Sequence, residues 1–258
     1  MRLQDKVIMI TGAAGGIGKA AAKVCAGYGA KIAVVDLKED EVQKTADEIV
    51  ADGGEAVAFG CDVRKRDMVR GVVQKVVDKY GKIDGLFNNA GVVRSCLLVD
   101  ADDAEYDFTM DINCKGAFIV ATEVAKVMVP QKKGRIISTS SISAYKEEST
   151  NGIYCMSKAA IAMMMRVMAL ELGQYGITCM SIAPGHIDTG LLRGSFEQRG
   201  AAEGKPVEAF YDEMKETIPL GRLGQPSEIG EFIAFLFDDR SAYIDGQNML
   251  IAGGKIMG

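Results

Sequence analysis

Tryptophan is absent from this 258-residue chain, histidine occurs once, at His186, and proline occurs only five times. A single imidazole leaves little from which to build a Cys/His metal site. The six cysteines (Cys25, Cys61, Cys96, Cys114, Cys155 and Cys179) include no C-x-x-C pair. No metal is therefore expected, and the thiols are expected to be reduced, as in a cytoplasmic protein. Basic charge is in deficit, with 30 Lys+Arg against 35 Asp+Glu and a net charge of -5, which argues against a nucleic-acid partner. No uninterrupted apolar run reaches the ~18 residues of a membrane helix, and the opening residues start no secretory signal, so no membrane partner is expected. Repeats and low-complexity segments are also missing. What is present is an ordinary globular balance, 48% hydrophobic and 25% charged, together with 14 methionines. The cluster Met163-Met164-Met165-Met168 reads as adaptable packing in a core or an interface.

The order of elements carries more information. Residues 6–10 form a short apolar run of strand length that enters Thr11-Gly12-Ala13-Ala14-Gly15-Gly16-Ile17-Gly18, and residues 19–29 form an Ala-rich helical segment. Strand, glycine-rich turn and helix together bring backbone N–H groups and a helix N-terminus up to a diphosphate. A second strand over 31–35 ends at Asp36, at the distance past the last glycine expected of a carboxylate that binds an adenosine ribose diol. The competing reading of Asp36 is the cap of the next helix. Strands over 56–59, 83–87, 134–139, 176–183 and 248–251 alternate with helices over 41–51, 67–80, 103–132, 154–175 and 227–237, the last capped by Ser227. No linker divides the chain. The alternation predicts one α/β domain over residues 1–258, a doubly wound parallel seven-stranded sheet with helices on both faces. Residues 189–215 read as a mixed, glycine-rich insertion without a strand, of the kind that serves as a lid.

Ligands of such sheets bind beyond the carboxyl ends of the strands. Asp62 stands after the third strand, as an acceptor for an adenine amino group or as a turn cap. Asn88-Asn89-Ala90-Gly91 follows the fourth, its amides suited to joining strand ends or forming an Asx turn, and Gly91 to close approach of a flat ring. Asn113 lies near the junction of two helical stretches, where it invites a kink or a polar task. Tyr154 and Lys158 are four residues apart and share one helix face. An ammonium beside a phenol favours the phenolate and draws its pKa down toward working pH, although the same spacing also occurs on plain solvated helix edges.

With Thr11-Gly12-x-x-x-Gly16-x-Gly18, Asn88-Asn89-Ala90-Gly91, Asn113, Ser141, Tyr154-x-x-x-Lys158 and Pro184-Gly185-x-Ile187-x-Thr189 in order, the chain resembles the short-chain dehydrogenase/reductase family over nearly its whole length. The resemblance implies a Rossmann-type fold and a nicotinamide cofactor. Gly12, Gly16, Ile17 and Gly18 would lie at its diphosphate, Asp36 at the adenine-side ribose, and Asp62 and Val63 at the adenine. Asn89 and Gly91 would lie along it, and Pro184, Ile187 and Thr189 would hold the carboxamide. It also implies that Tyr154 moves the proton, that Lys158 binds the nicotinamide ribose and tunes the phenol, that Ser141 hydrogen-bonds the substrate oxygen and that Asn113 positions a water beside Lys158. Asp36 and the lack of Arg or Lys in the glycine loop favour NAD over NADP, with Lys38 nearby as the contrary sign. Met180 and Ala252 depart from the family pattern at positions that carry no chemistry.

The expected activity is hydride transfer between NAD(H) and a secondary alcohol or ketone. The substrate region drawn from Val93–Cys96, Ser143–Glu148, His186 and the lid is mixed in character, which favours a small polyol or hydroxyketone, with Arg94, Ser143, Glu148 and His186 as its contacts. His186 reads as a substrate contact or as a plain exposed side chain. The alternatives are a 3-oxoacyl-thioester reductase, a hydroxysteroid dehydrogenase and, outside enzymes, an NAD-binding redox sensor. Helices 103–132 and 151–175 carry more apolar surface than one sheet face consumes, and in the family such helices pair across subunits, so a homotetramer is expected, with a dimer as the alternative.

Overall fold

The computed structural model describes residues 2–256, apart from the side chains of 198–199 and 201–203. Seven parallel strands, β1 (Val7–Thr11), β2 (Lys31–Asp36), β3 (Glu55–Gly60), β4 (Gly85–Asn88), β5 (Gly134–Thr139), β6 (Ile177–Pro184) and β7 (Asn248–Ile251), form one sheet. Their order is β3-β2-β1-β4-β5-β6-β7. The chain winds outward from β1 through β2 to β3, then returns to place β4 on the other side of β1. That reversal opens a crevice at the carboxyl ends of β1 and β4.

The period-2 geometry of strands divides the core in two. Along β1, Ile8 and Ile10 pack into one apolar layer with α1 (Gly16–Gly27), α2 (Glu39–Ala51) and α9 (Pro226–Phe237). Val7 and Met9 face the opposite layer, with α3 (Arg66–Tyr80), α5 (Ala117–Gln131) and α6 (Gly152–Leu172). Burial on both faces is why the strands read as continuous apolar runs rather than alternating ones.

Several boundaries differ from the sequence expectation for identifiable reasons. The helix after the glycine loop begins at Gly16, because Gly15 takes the extended N-cap conformation. The fourth strand begins at Gly85. Ile83 is instead bonded through its N–H and C=O to the side chain of Gln131, and Asp84 Oδ2 accepts from Val7 N at 2.8 Å. The last helix begins at Pro226 and is capped by Gln225, not Ser227, in a reciprocal capping box with Glu228. The segment read as mixed forms two further helices, α7 (Gly190–Glu203) and α8 (Val207–Glu216). Thr189 caps α7 by accepting from Leu192 N, and Phe196 holds α7 to α8 by stacking on Phe210 and meeting Tyr211 edge-on. Between α4 (Asp103–Met110) and α5 the helix widens into a π-helical turn, Asp111–Gly116, which contains Asn113.

The stretch Gly152–Tyr175 is long and apolar enough to cross a membrane by length and composition alone. In the fold one side of it packs against the sheet, and Met156, Met163, Val167 and Leu170 remain exposed on the other.

Candidate active site

The carboxyl ends of the sheet border one cavity of about 980 Å³. Of the site residues expected from sequence, all line it except Gly18, Asn113 and Arg94. At one end stands the glycine turn. Gly12 adopts φ +66°, and a Cβ there would lie 2.9 Å from the Cα of Ala90, so the turn is free to pack against the segment after β4. Gly18 acts inside the fold rather than on the cavity wall: a Cβ there would lie 2.1 Å from the carbonyl oxygen of Gly12. Gly18→Ala is accordingly expected to cost about 1–3 kcal/mol through overpacking. Urea unfolding checks this, with a lower midpoint and an unchanged slope expected.

Asp36 closes this end. Its Oδ2 accepts from Ala14 N at 2.9 Å and its Oδ1 from Leu37 N at 2.7 Å. The helix-cap reading of Asp36 fails, because the N-cap of α2 is Lys38. Lys38 does not line the cavity and pairs with Glu41 at 2.8 Å. Asp62 does serve its turn, accepting from Arg64 N at 3.0 Å, and the Arg64 guanidinium grips the same carboxylate through Nε and Nη2. That pairing holds the Asp62 carboxyl below its usual range. Arg64 lines the cavity too, and no motif in the sequence marked it.

The tetrad after β4 ties strand ends together, as the amide reading anticipated. Asn89 Nδ2 donates to the carbonyls of Thr11 and Gly12, and its Oδ1 accepts from Thr139 Oγ1 at 3.0 Å. Asn113 is fully buried. Its Oδ1 accepts from Val92 N at 2.8 Å, and its Nδ2 donates to Val92 O at 2.9 Å and Ser157 Oγ at 3.1 Å. Both amide hydrogens are thus used in joining the post-β4 segment to α6, and one Oδ1 lone pair remains for anything else. Gly91 supplies room, since an ideal Cβ there would lie 3.2 Å from Asn113 Oδ1 and 3.4 Å from Lys158 Nζ.

At the centre, α6 presents Tyr154 and Lys158 to the end of β5. Lys158 Nζ donates to the carbonyl of Thr139 at 2.9 Å and lies 5.4 Å from the Tyr154 ring centroid. Ser141 Oγ stands 3.0 Å from Ser143 Oγ and accepts from Ser143 N at 3.1 Å. The expectation that Lys158 draws the phenol's pKa down is not met. Burial pushes Tyr154 up to about 12, with the Ser141 hydroxyl opposing that shift, and burial pulls Lys158 down to about 8. Desolvation disfavours both charged forms here and is the leading cause of each shift.

The Lys158 shift has a stability consequence. Below about pH 8 the ammonium is charged in folded and unfolded chains alike, and folding then carries the cost of burying it. As pH rises from about 8 toward the unfolded value near ~10.4, the folded state loses the proton first and stability rises. Lys158→Met is therefore expected to raise stability at pH 7 by roughly 1–3 kcal/mol, the relief of a buried charge less the lost Thr139 bond, and to abolish that alkaline rise. Denaturation midpoints at pH 7 and 10 compare the two proteins.

At the far end lie the residues assigned to substrate. Ser143 is buried, and Glu148 Oε2 accepts from Asn151 Nδ2 at 3.1 Å. His186 is half-buried rather than exposed, and its Nδ1 is buried without a hydrogen-bond partner among the described residues. Burial, aided by Lys255 and Lys146, lowers its pKa to about 4. Arg94 is not brought to the cavity. It pairs with Glu105 at 3.0 Å and stacks over Phe108, with its guanidinium carbon 3.9 Å from the ring centroid.

With fold and site in view, comparison with known proteins places the chain. Residues 12–255 match the family model described as enoyl-(acyl carrier protein) reductase. The chain belongs to the short-chain dehydrogenase/reductase family and is an oxidoreductase. It is 35% identical to the 3-oxoacyl-acyl-carrier-protein reductase FabG of Thermotoga maritima over 100% of both chains. It is 32% identical to the 2,3-dihydro-2,3-dihydroxybenzoate dehydrogenase of Bacillus subtilis, over 99% of this chain and 98% of that one. Among solved structures, NAD+-bound xylitol dehydrogenase matches with a TM-score of 0.93 at 33% identity, over 98% of this chain and 100% of that chain. A short-chain type dehydrogenase/reductase from Mycobacterium marinum matches with a TM-score of 0.90 at 34% identity, over 99% and 97%.

Proposed function

We propose that the protein transfers a hydride between NAD(H) and a small polar secondary alcohol or its ketone. The observation that carries this reading is the meeting of Ser141, Tyr154 and Lys158 at the middle of one cavity, whose other end is a glycine turn closed by a carboxylate. The cavity suits the cofactor by the chemistry of its donors. The first turn of α1 carries no side-chain cap, a Cβ at Gly15 would meet nothing within 4 Å, and Asp36 faces the same space. Gly12, Gly16 and Ile17 would hold the diphosphate, Asp36 the ribose diol, Asp62 and Val63 the adenine, Asn89 and Gly91 the middle, Pro184, Ile187 and Thr189 the carboxamide, and Lys158 the second ribose.

When bound, NAD supplies the hydride acceptor and a positively charged ring. Ser141 donates a hydrogen bond to the substrate oxygen. The Tyr154 phenolate takes the hydroxyl proton as the carbinol C–H bond gives up its hydrogen with the electron pair and the C=O bond forms. Reduction reverses each movement. Because burial holds the phenol up, its base form is scarce at neutral pH. Alcohol oxidation is thus expected to speed up about tenfold per pH unit until the phenol titrates, and ketone reduction to stay level over that same range. Stopped-flow pH profiles in both directions check the sign.

The far end of the cavity mixes Ser143, Glu148 and His186 with Leu192, Phe196 and Met214, which favours a compact polar substrate over a flat apolar one. A second reading, reduction of a 3-oxoacyl thioester, draws on the full-length similarity to the Thermotoga protein. A screen of purified protein with NAD(H) against polyols and their phosphates, hydroxy acids, acetoin, hydroxysteroids and 3-hydroxyacyl esters separates them, and turnover of none contradicts the proposal. Helices α7 and α8, joined through Phe196, act as the lid over this end. Protomers assemble as a homotetramer through the apolar faces of α5 and α6, where Phe118, Val129, Met163 and Val167 border a groove of about 830 Å³. A monomeric mass by light scattering at micromolar concentration would refute that assembly.

A further inference from the structure

Two lysines that this chemistry does not use line the substrate end of the cavity. Lys146 lies just past the short turn Ile142–Ala144 that follows Ser141, and Lys255 follows the Gly253-Gly254 turn beyond β7. They arrive from separate elements, yet they are near enough for the charge of Lys146 to disfavour that of Lys255, and for both to disfavour a charged His186. Lys146 makes no ion pair among the described residues. Lys255 Nζ donates to Thr217 Oγ1 and Met214 Sδ, both neutral. Glu147 and Glu148 also line this end, and Glu148 favours the charge on Lys255, but neither forms an ion pair with Lys146 or Lys255 among the described residues. The imidazole stays neutral, so the positive charge of this wall belongs to the two lysines.

Like charges that line one cavity are mutually unfavourable, and an anion between them relieves this. We propose that the alcohol or ketone taken by this site carries an oxyanion, a carboxylate or a phosphate ester, which Lys146 and Lys255 hold while the carbinol oxygen lies at Ser141 and Tyr154. The buried, unpartnered Nδ1 of His186 adds a neutral polar group at the same end. This assignment rests on the hydride-transfer reading above and narrows its substrate class to hydroxy acids, oxo acids or polyol phosphates.

The test is a calorimetric titration of the protein in saturating NAD, with butyrate in one arm and inorganic phosphate in the other, on wild type, Lys146→Met and Lys255→Met. The expected result is binding of one of the two anions that weakens about tenfold in each variant, the loss of one charge-assisted hydrogen bond, and weakens further with added salt. The arm that binds names the anion. Failure of both anions to bind at tens of millimolar, or binding that neither substitution weakens, overturns the assignment. Because no turnover is needed, the result can be read separately from the alcohol screen. A protein that oxidises 2-butanol and glycerol as well as 3-hydroxybutyrate and glycerol 3-phosphate keeps the hydride chemistry and loses this inference.

Discussion

Tyr154→Phe is expected to lower alcohol-dependent NADH formation by about 10³-fold or more, with kcat falling far more than KM rises, the range for removal of a positioned proton-transfer group. The substitution deletes one oxygen. Among the described residues no hydrogen bond joins that oxygen to the backbone, whereas the neighbouring Ser157 hydroxyl does donate to the Tyr154 carbonyl. The fold should therefore remain, and removing a buried hydroxyl that keeps its proton at neutral pH should leave the urea midpoint nearly unchanged. A large loss of activity without loss of stability is the signature of a proton-transfer role. A loss that tracks instability would point to packing instead, and undiminished activity would remove Tyr154 from the mechanism.

Asp36 carries the second large effect. Wild-type protein is expected to prefer NAD over NADP by a hundredfold or more in kcat/KM, because a carboxylate repels a 2′-phosphate and accepts from a free ribose diol. Asp36→Asn removes the charge and keeps one acceptor oxygen, enough for Ala14 N or Leu37 N but not for both, since the amide nitrogen cannot accept. It should reduce the preference by about tenfold to a hundredfold, the usual worth of a charged hydrogen bond. Asp36→Ala should reduce it further and also loosen the glycine turn. Arg64 gives the experiment a second control. Its guanidinium is committed to Asp62, so Asp62→Asn should free it and improve NADP use. A wild-type preference for NADP would contradict the ribose assignment of Asp36.

The sheet was legible in the sequence because both of its faces are covered. Strands such as residues 6–10 are apolar on both sides, and the glycine turn, Asp36 and the Asn88-Asn89 pair all fall at strand ends, where a doubly wound sheet puts its ligands. Helix α7 was hidden because its glycines and polar residues dilute the apolar period, whereas α8 holds no glycine and is amphipathic, and was obscured only by the glycine-rich stretch before it. What holds them is the Phe196, Phe210 and Tyr211 cluster, a contact made across the turn rather than along either helix. Ser227 looked like a cap because serine commonly is one, yet a glutamine two residues earlier closes the box with Glu228.

Within the site, the residues read correctly as neighbours are those whose spacing follows from an element: Tyr154 and Lys158 on α6, and Ser141 at the end of β5. Their electrostatics were not legible. The sequence shows an ammonium four residues from a phenol but not the burial of both, and burial sets the sign of each shift. Arg94 was drawn to the pocket by its proximity to Val93, which does line it, whereas Glu105 and Phe108 on α4 hold its guanidinium elsewhere. Lys255 was missed for the opposite reason. Lys146 falls within the Ser143–Glu148 stretch expected at the substrate, whereas Lys255 stands 109 positions further along the chain with no motif around it, and only the return of the chain after β7 brings it to the same cavity.

Isotope transfer tests the central claim most directly. Purified protein is incubated with NAD and the secondary alcohol that turns over best in the screen, deuterated at its carbinol carbon, and the NADH is weighed by mass spectrometry. Hydride transfer from that carbon predicts NADH one mass unit heavier, with no label lost to water. NADH that forms without deuterium, or an alcohol oxidised while NAD stays unchanged, would contradict the account.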